Sequence, residues 1–220
     1  MEASDIEQFL SLGVPCVILD CYYDEIQADF VLINNVQGAY LATKHLIDKG
    51  HQKIGYLKSS IRIANFEERA NGYYNALRRH GLQTSHPYVF ALSPTADQGY
   101  EDMLLNLSKN PPLATAYFAD NDIIAAAASR AFAEKGFSLP KMISIIGFDD
   151  MPFCQLMTPT LSTMRVAKRS LATIAVNRLI EKLQHPESNC RKISIATSLI
   201  SRESVQCFLS VHDADDKGGM

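Results

Sequence analysis

The sequence predicts an α/β fold on three observations. Short apolar runs recur along the chain, segments with helical spacing separate most of them, and several of those segments stop at a glycine. Such alternation implies a mainly parallel sheet with helices on both faces, because parallel strands need crossover connections and these are right-handed.

A helical stretch at residues 6–12 precedes a first strand at 14–19, and a second strand follows at 31–33. Ala39, Ala42, Leu46 and Ile47 then lie on one helical face that stops at Gly50. After a strand at 54–57, Ala70, Tyr73, Tyr74 and Leu77 repeat that spacing up to Gly81, a residue free to take the left-handed turn that ends a helix. A strand at 88–92 leads to a helix carrying Tyr100, Met103, Leu104 and Leu107. The next strand, 115–119, leads to a helix from about Ile123 through Ala127, Ala131 and Phe132 to Gly136, with Pro140 beyond it. A strand at 143–148 follows. After Pro159 comes an extended run at 161–166, then a long helix marked by Leu171, Ile174, Ala175, Leu179 and Leu183, then a last strand at 193–200. Residues 209–220, rich in Asp and Gly and without periodicity, are expected to be a disordered tail.

Composition narrows the function. Of 220 residues, 47% are hydrophobic and 20% charged, enough apolar material for a sizeable core and too little charge for disorder. Lys and Arg number 21 against 24 Asp and Glu, a net charge of −3, so no global positive field draws nucleic acid or an anionic membrane. DNA binding would need a separate module. Glu2 and Asp5 stand where a signal peptide is basic, and no apolar run approaches the ~18 residues of a membrane span. The expected setting is cytoplasmic, with five scattered cysteines reduced.

Ligands of open α/β sheets bind beyond the carboxyl ends of the strands. The strand at 54–57 is followed by a polar loop and by Arg69, placed in the first turn of its helix, where a cation opposes the helix dipole. The strand at 115–119 is followed by Asp120, Asn121 and Asp122, and that at 143–148 by Asp149 and Asp150. Guanidinium, amide and carboxylate together match the adjacent hydroxyls of a sugar or the edge of a purine. Each residue also has a plainer role: Asn121 as a helix cap, Asp149 and Asp150 as a turn or an acidic metal pair, Arg69 as a surface partner of Glu67 or Glu68. His51, after Gly50, is expected to meet the terminal carbonyls of the preceding helix. The nucleotide-binding, nucleophile-elbow and zinc-protease motifs are missing, so neither an enzyme nor a cofactor is expected.

These residues in this order resemble the effector-binding domain of the LacI/GalR family of transcription regulators. The resemblance runs from Asn35 and Gly38 through Ala42, His45, Gly50 and His51, then Arg69, Gly72 and Tyr73, then Asn121 and Asp122. It continues with Gly147, Phe148, Asp149, Asp150 and Pro159, and closes with Leu199, Ile200, Arg202, Glu203 and Ser204. It implies a periplasmic-binding-protein-like fold of two lobes around a small-molecule cleft, a homodimer, and effector binding linked to operator affinity. Carried over by motif, Arg69, Asn121 and Asp149 are implied effector contacts, with Phe66 as an apolar wall and Gln37 facing the cleft from the other lobe. Residues 1–52 and 164–189 would form the first lobe, and 53–163 and 190–208 the second.

The sequence also departs from the family. The helix-turn-helix, the hinge helix and several βα units that the family carries before the strand at 14–19 have no counterpart here. The first lobe is therefore expected to be incomplete, DNA to be bound only through the missing head, and the chain alone to bind effector weakly. Asn34 stands where the family often has Asp, and Pro94 where some sugar-binding members stack a ring. Two other classes compete: a solute-binding protein of a sugar transporter, which shares the fold, and a metal-dependent phosphoryl-transfer enzyme built on Asp149 and Asp150.

Overall fold

The computed structural model describes residues 3–85 and 87–208; the tail expected at 209–220 lies outside them. Two sheets divide the described chain. The first has the order β1–β2–β8, with β1 at Val17–Leu19, β2 at Asp29–Ile33 and β8 at Lys192–Ile195, all parallel. The second has the order β4–β3–β5–β6–β7–β9, built from Ile54–Ser59 (β3), Val89–Leu92 (β4), Ala116–Ala119 (β5), Ser144–Asp149 (β6), Ser162–Arg165 (β7) and Ser198–Ile200 (β9). Among the described strands of this sheet only β9 runs antiparallel to its neighbour. The α/β class and the parallel sheets are as the alternation requires.

Helices cover both faces of each sheet. Against the second sheet, α4 (Ala96–Ser108) and α5 (Asp122–Glu134) pack one face around Tyr117, Phe132, Ile145 and Met103. On the opposite face α2 (Asn35–Asp48) and α3 (Ala64–Arg79) bury Ala39, Ala42, Leu46, Tyr73 and Leu77 against Tyr56, Phe118 and Ile146. In the first lobe β2 alternates: Val31 and Ile33 face Leu171 and Ala175 of α6 (Lys168–Gln184), while Phe30 and Leu32 face Ile6 of α1 (Ala3–Ser11). Such alternation is what a strand covered on both faces provides.

Packing redraws the division of lobes at two places. Residues 35–48, assigned by order to the first lobe, bury their apolar face on the second sheet. Helical spacing shows that a face is buried, not which sheet covers it. The single strand expected at 193–200 is two: β8 pairs with β2 in the first sheet and β9 with β7 in the second. The two-residue link between them, 196–197, joins the lobes. A buried ion pair braces the first lobe from within: Arg178 of α6 donates to Asp29 of β2 through Nε at 2.6 Å and Nη2 at 3.1 Å. Asp29 also accepts from the Arg191 amide at 2.8 Å, which ties in the approach to β8.

Candidate functional site

The carboxyl ends of β3, β5 and β6 bring Arg69, Asp120 and Asp149 together. Arg69 is 4% exposed and lies in the second turn of α3, which begins at Ala64, so the dipole objection to a cation in the first turn does not arise. Neither expected surface partner takes it: Glu67 accepts from Arg62 at 3.0 Å and Glu68 from Asn35 at 2.9 Å. Instead Arg69 Nε donates to Asn35 Oδ1 at 2.9 Å, Nη1 donates to the Asp120 carbonyl, and Nη2 reaches Asp149 Oδ1 at 3.4 Å. Its guanidinium lies 3.8 Å from the Phe148 ring centre and 5.6 Å from that of Phe66, close enough for cation–π attraction to both.

The acidic pair diverges. Asp149 and Asp150 both have left-handed backbone, φ 110° and 50°, which turns the chain sharply at the end of β6. Asp149 faces Arg69, whereas Asp150 accepts from Arg165 at 2.6 Å and Arg202 at 2.7 Å. The turn therefore splits the two carboxylates between separate cations, and among the described residues no cluster of three or more His, Cys, Asp or Glu could hold a metal ion. Burial pushes Asp149 up to about 6 even though Arg69 pulls it down. Asp150 behaves oppositely: burial raises it, but hydrogen bonds from Arg202 and Arg165 outweigh this and hold it below the usual range.

Asn121 does cap a helix, its Oδ1 accepting from the Ile124 amide at 2.9 Å, and it is buried. Asp120, one residue earlier, points inward and accepts from the Tyr56 hydroxyl and from the Ser59 amide at 2.6 Å. Burial raises Asp120 to about 6 against both bonds. The His51 amide donates to the Leu46 carbonyl at 3.2 Å, as expected of the residue after the helix-ending glycine, but its ring turns away from that helix. Its Nδ1 meets Thr115 Oγ1 at 2.9 Å and its Nε2 the Gln206 carbonyl at 3.2 Å, and burial lowers its pKa.

A cavity of about 360 Å³ opens between the lobes, lined by Leu19, Asp20 and Ile33 of the first and by Asp149, Met151, Val166 and Lys168 leading out of the second. Arg69 stands behind Asp149. Phe66 is half-buried beside Arg69. Gln37 is exposed and held by its neighbour: Asn34 Oδ1 accepts from its amide at 3.1 Å, and Asn34 Nδ2 donates to its side chain at 3.2 Å. The larger hollow, about 580 Å³, lies on the outer side of α5 among Ala126, Arg130, Phe137 and Met157, away from these carboxylates.

The contacts of three polar residues of this region escaped the sequence reading. Asp20 ends β1 in left-handed backbone, φ 57°, and its carbonyl and Oδ1 accept from Asn65 of α3 at 3.0 and 3.1 Å. Burial raises its pKa. The strand-end rule applied to β1 would have found it. Asn65 acts across the lobes and Asn35 between α2 and α3, and no local pattern marks these contacts.

The chain matches the family model of the periplasmic binding protein-like domain over residues 43–205. It is 33% identical over 204 residues to the ribose operon repressor of Haemophilus influenzae, covering 92% of this chain and 60% of that protein. It is 35% identical over 195 residues to the transcriptional repressor PurR of Mannheimia succiniciproducens, covering 88% of this chain and 58% of the relative. The chain thus spans about 60% of the length of the curated relatives it matches. A LacI family regulator from Enterococcus faecium with bound ribose superposes with a TM-score of 0.86 at 26% identity, over 94% of this chain and 77% of that one. A complex of the regulator CelR with cellobiose superposes with a TM-score of 0.84 at 25% identity, over 93% and 63%.

Proposed function

Because this chain belongs to the periplasmic binding protein-like family, we propose that it is the effector-sensing part of a LacI-type transcription regulator and holds a small hydroxylated ligand, a sugar, between its lobes. The observation that carries the reading is the juxtaposition of Asp149, backed by Arg69, with Asp20 across one interlobe cavity. Two carboxylates accept from ligand hydroxyls, the guanidinium donates to hydroxyl or ring oxygens, and the apolar walls at Leu19, Ile33 and Val166 cover carbon faces. The structural neighbours with bound ribose and cellobiose favour a sugar over a purine edge, which the same residue set also matches and which therefore stays in the test.

The mechanism is differential affinity for two lobe arrangements. A ligand that touches Asp20 in one lobe and Asp149 in the other binds the closed arrangement better, and so shifts the population towards it. Among the described residues the links at 34–53, 166–191 and 196–197 are the ones that cross between the sheets, and they are the hinge. In the regulator this closure would reorient a homodimer and the helix-turn-helix heads through which it touches DNA, in the cytoplasm, with a coupling of ~1–3 kcal/mol. The relatives are named as repressors, and the chemistry of the cleft is recognition without bond making.

Thermal denaturation of the chain with D-ribose, other pentoses, hexoses, disaccharides and purine bases tests this. At about 100-fold above Kd a ligand adds about 2.7 kcal/mol, so a saturable rise in Tm with one class is expected. Asp149→Ala should remove the rise. No rise with any of these compounds, from a chain that unfolds cooperatively, would overturn the reading.

A further inference from the structure

Arg69 and Asp149 stand 3.4 Å apart, whereas a charge-assisted hydrogen bond ordinarily closes to ~2.7–2.9 Å. The anchoring of the guanidinium accounts for the gap. Its Nε is fixed at 2.9 Å to Asn35 Oδ1, its Nη1 is fixed to the Asp120 carbonyl, and its plane lies against Phe148 at 3.8 Å. Asn35 cannot turn to release it. Its amide is 2% exposed and its Nδ2 donates to Glu68 Oε2 at 2.9 Å, so a flip would set one donor against a guanidinium and an oxygen against a carboxylate. Glu68 and Arg69 are neighbours on α3, and Asn35 opens α2 two residues after β2 ends.

We propose that Asn35 is a positioning residue of the cleft: it holds Arg69 back from Asp149, so that donor and acceptor stay parted and available to a hydroxylated ligand. The inference rests on the reading of the cleft as a ligand site. It adds that the site is kept open by an amide on the segment that leaves the first lobe, so movement at that crossing is felt at Arg69. Without Asn35 the guanidinium swings to Asp149, and the two satisfy each other instead of the ligand. The other charged groups that face Asp149 are Lys168, Asp122 and Asp20, and none of them touches Asn35.

The test uses the full chain with Asn35→Ala, with Glu68→Ala, and with Asn35→Asp, the last always combined with Glu68→Gln so that an amide and not a carboxylate faces its second oxygen. One readout needs no ligand: the titration of the Asp149 carboxyl carbon followed by NMR. In N35A the closed ion pair should lower the Asp149 midpoint below that of the unsubstituted chain. N35D, whose carboxylate still accepts from Nε, should not lower it. The second readout is calorimetry with D-ribose: N35A is expected to weaken binding by about tenfold or more, the effect of losing one hydrogen bond to a charged group, and N35D to recover most of the loss. An unchanged midpoint in N35A, or N35D behaving like N35A, overturns the proposal. If N35A does not fold, E68A frees the amide to turn and must lower the same midpoint; failure to do so overturns the proposal equally. If the unsubstituted chain does not bind ribose, the ligand assignment is what fails, and the titration still decides the role of Asn35.

Discussion

Asp149 is the residue at which burial and charge oppose each other most directly. Its native pKa of about 6 against an ordinary 3.8 means that the folded chain holds a proton over that interval which the unfolded chain has released. The sign follows: the stability associated with this group is complete below about 3.8 and is lost as pH rises through about 6. Asparagine tolerates left-handed backbone and does not ionise, so Asp149→Asn isolates the effect. Urea unfolding from pH 4 to pH 7 should show the variant gaining on the unsubstituted chain by on the order of 2 kcal/mol. A pH-independent difference would refute the assignment. Asn121 carries two roles that separate in the same way. Asn121→Ala should cost about 1 kcal/mol through the lost cap of α5, while Asn121→Asp keeps the capping oxygen and the stability. If the amide also donates to ligand, both variants lose sugar affinity in calorimetry; if Asn121 is a cap alone, N121D binds as the unsubstituted chain does.

Elements were legible where burial is continuous and obscure where it is relayed. Strands β3, β5 and β6 read directly because parallel strands covered on both faces are unbroken apolar runs, and the strand-end rule then led to Arg69, Asn121 and Asp149. The allegiance of α2 was not legible, since Ala39, Ala42 and Leu46 would suit either sheet. The split of 193–200 was hidden because Ile195 and Leu199 continue an apolar run across the change of sheet. Asn35 was hidden for another reason: its partners are Glu68 and Arg69, 33 and 34 residues away, on a different helix. The contact between α2 and α3 that brings them together depends on Gly72. A Cβ there would come within 2.3 Å of the Val36 carbonyl and 2.8 Å of the Ala39 Cβ. Gly72→Ala should therefore destabilise the chain by about 1–3 kcal/mol in chemical denaturation, despite the better helix propensity of alanine. Because the displaced backbone carries Asn35, it should also weaken sugar binding. Stability equal to that of the unsubstituted chain would mean the helices part without cost.

The whole molecule joins a three-stranded lobe to a six-stranded one, and its stability should be distributed accordingly. The second sheet is enclosed by four helices around large buried rings, Tyr56, Tyr73, Tyr117, Phe118 and Phe132. In the first lobe α1 covers a small cluster, Phe9, Leu12 and Leu19 stay exposed, and the brace from Arg178 to Asp29 does much of the joining between α6, β2 and β8. Amides of β1, β2 and β8 are therefore expected to exchange with solvent through smaller openings than those of β3, β5 and β6. Arg178→Met sharpens the contrast. It leaves Asp29, 1% exposed, without its cation, a loss that in buried pairs costs about 3–5 kcal/mol. Hydrogen exchange read by mass spectrometry should show the variant losing protection across the first sheet while the second keeps it. A sugar that bridges Asp20 and Asp149 should restore part of that protection to β1 and β2, since closing the cleft docks the weaker lobe against the stronger. Uniform loss across both sheets would instead mean that the lobes unfold as one unit, and that opening and closing of the cleft cannot draw on a difference in their stabilities.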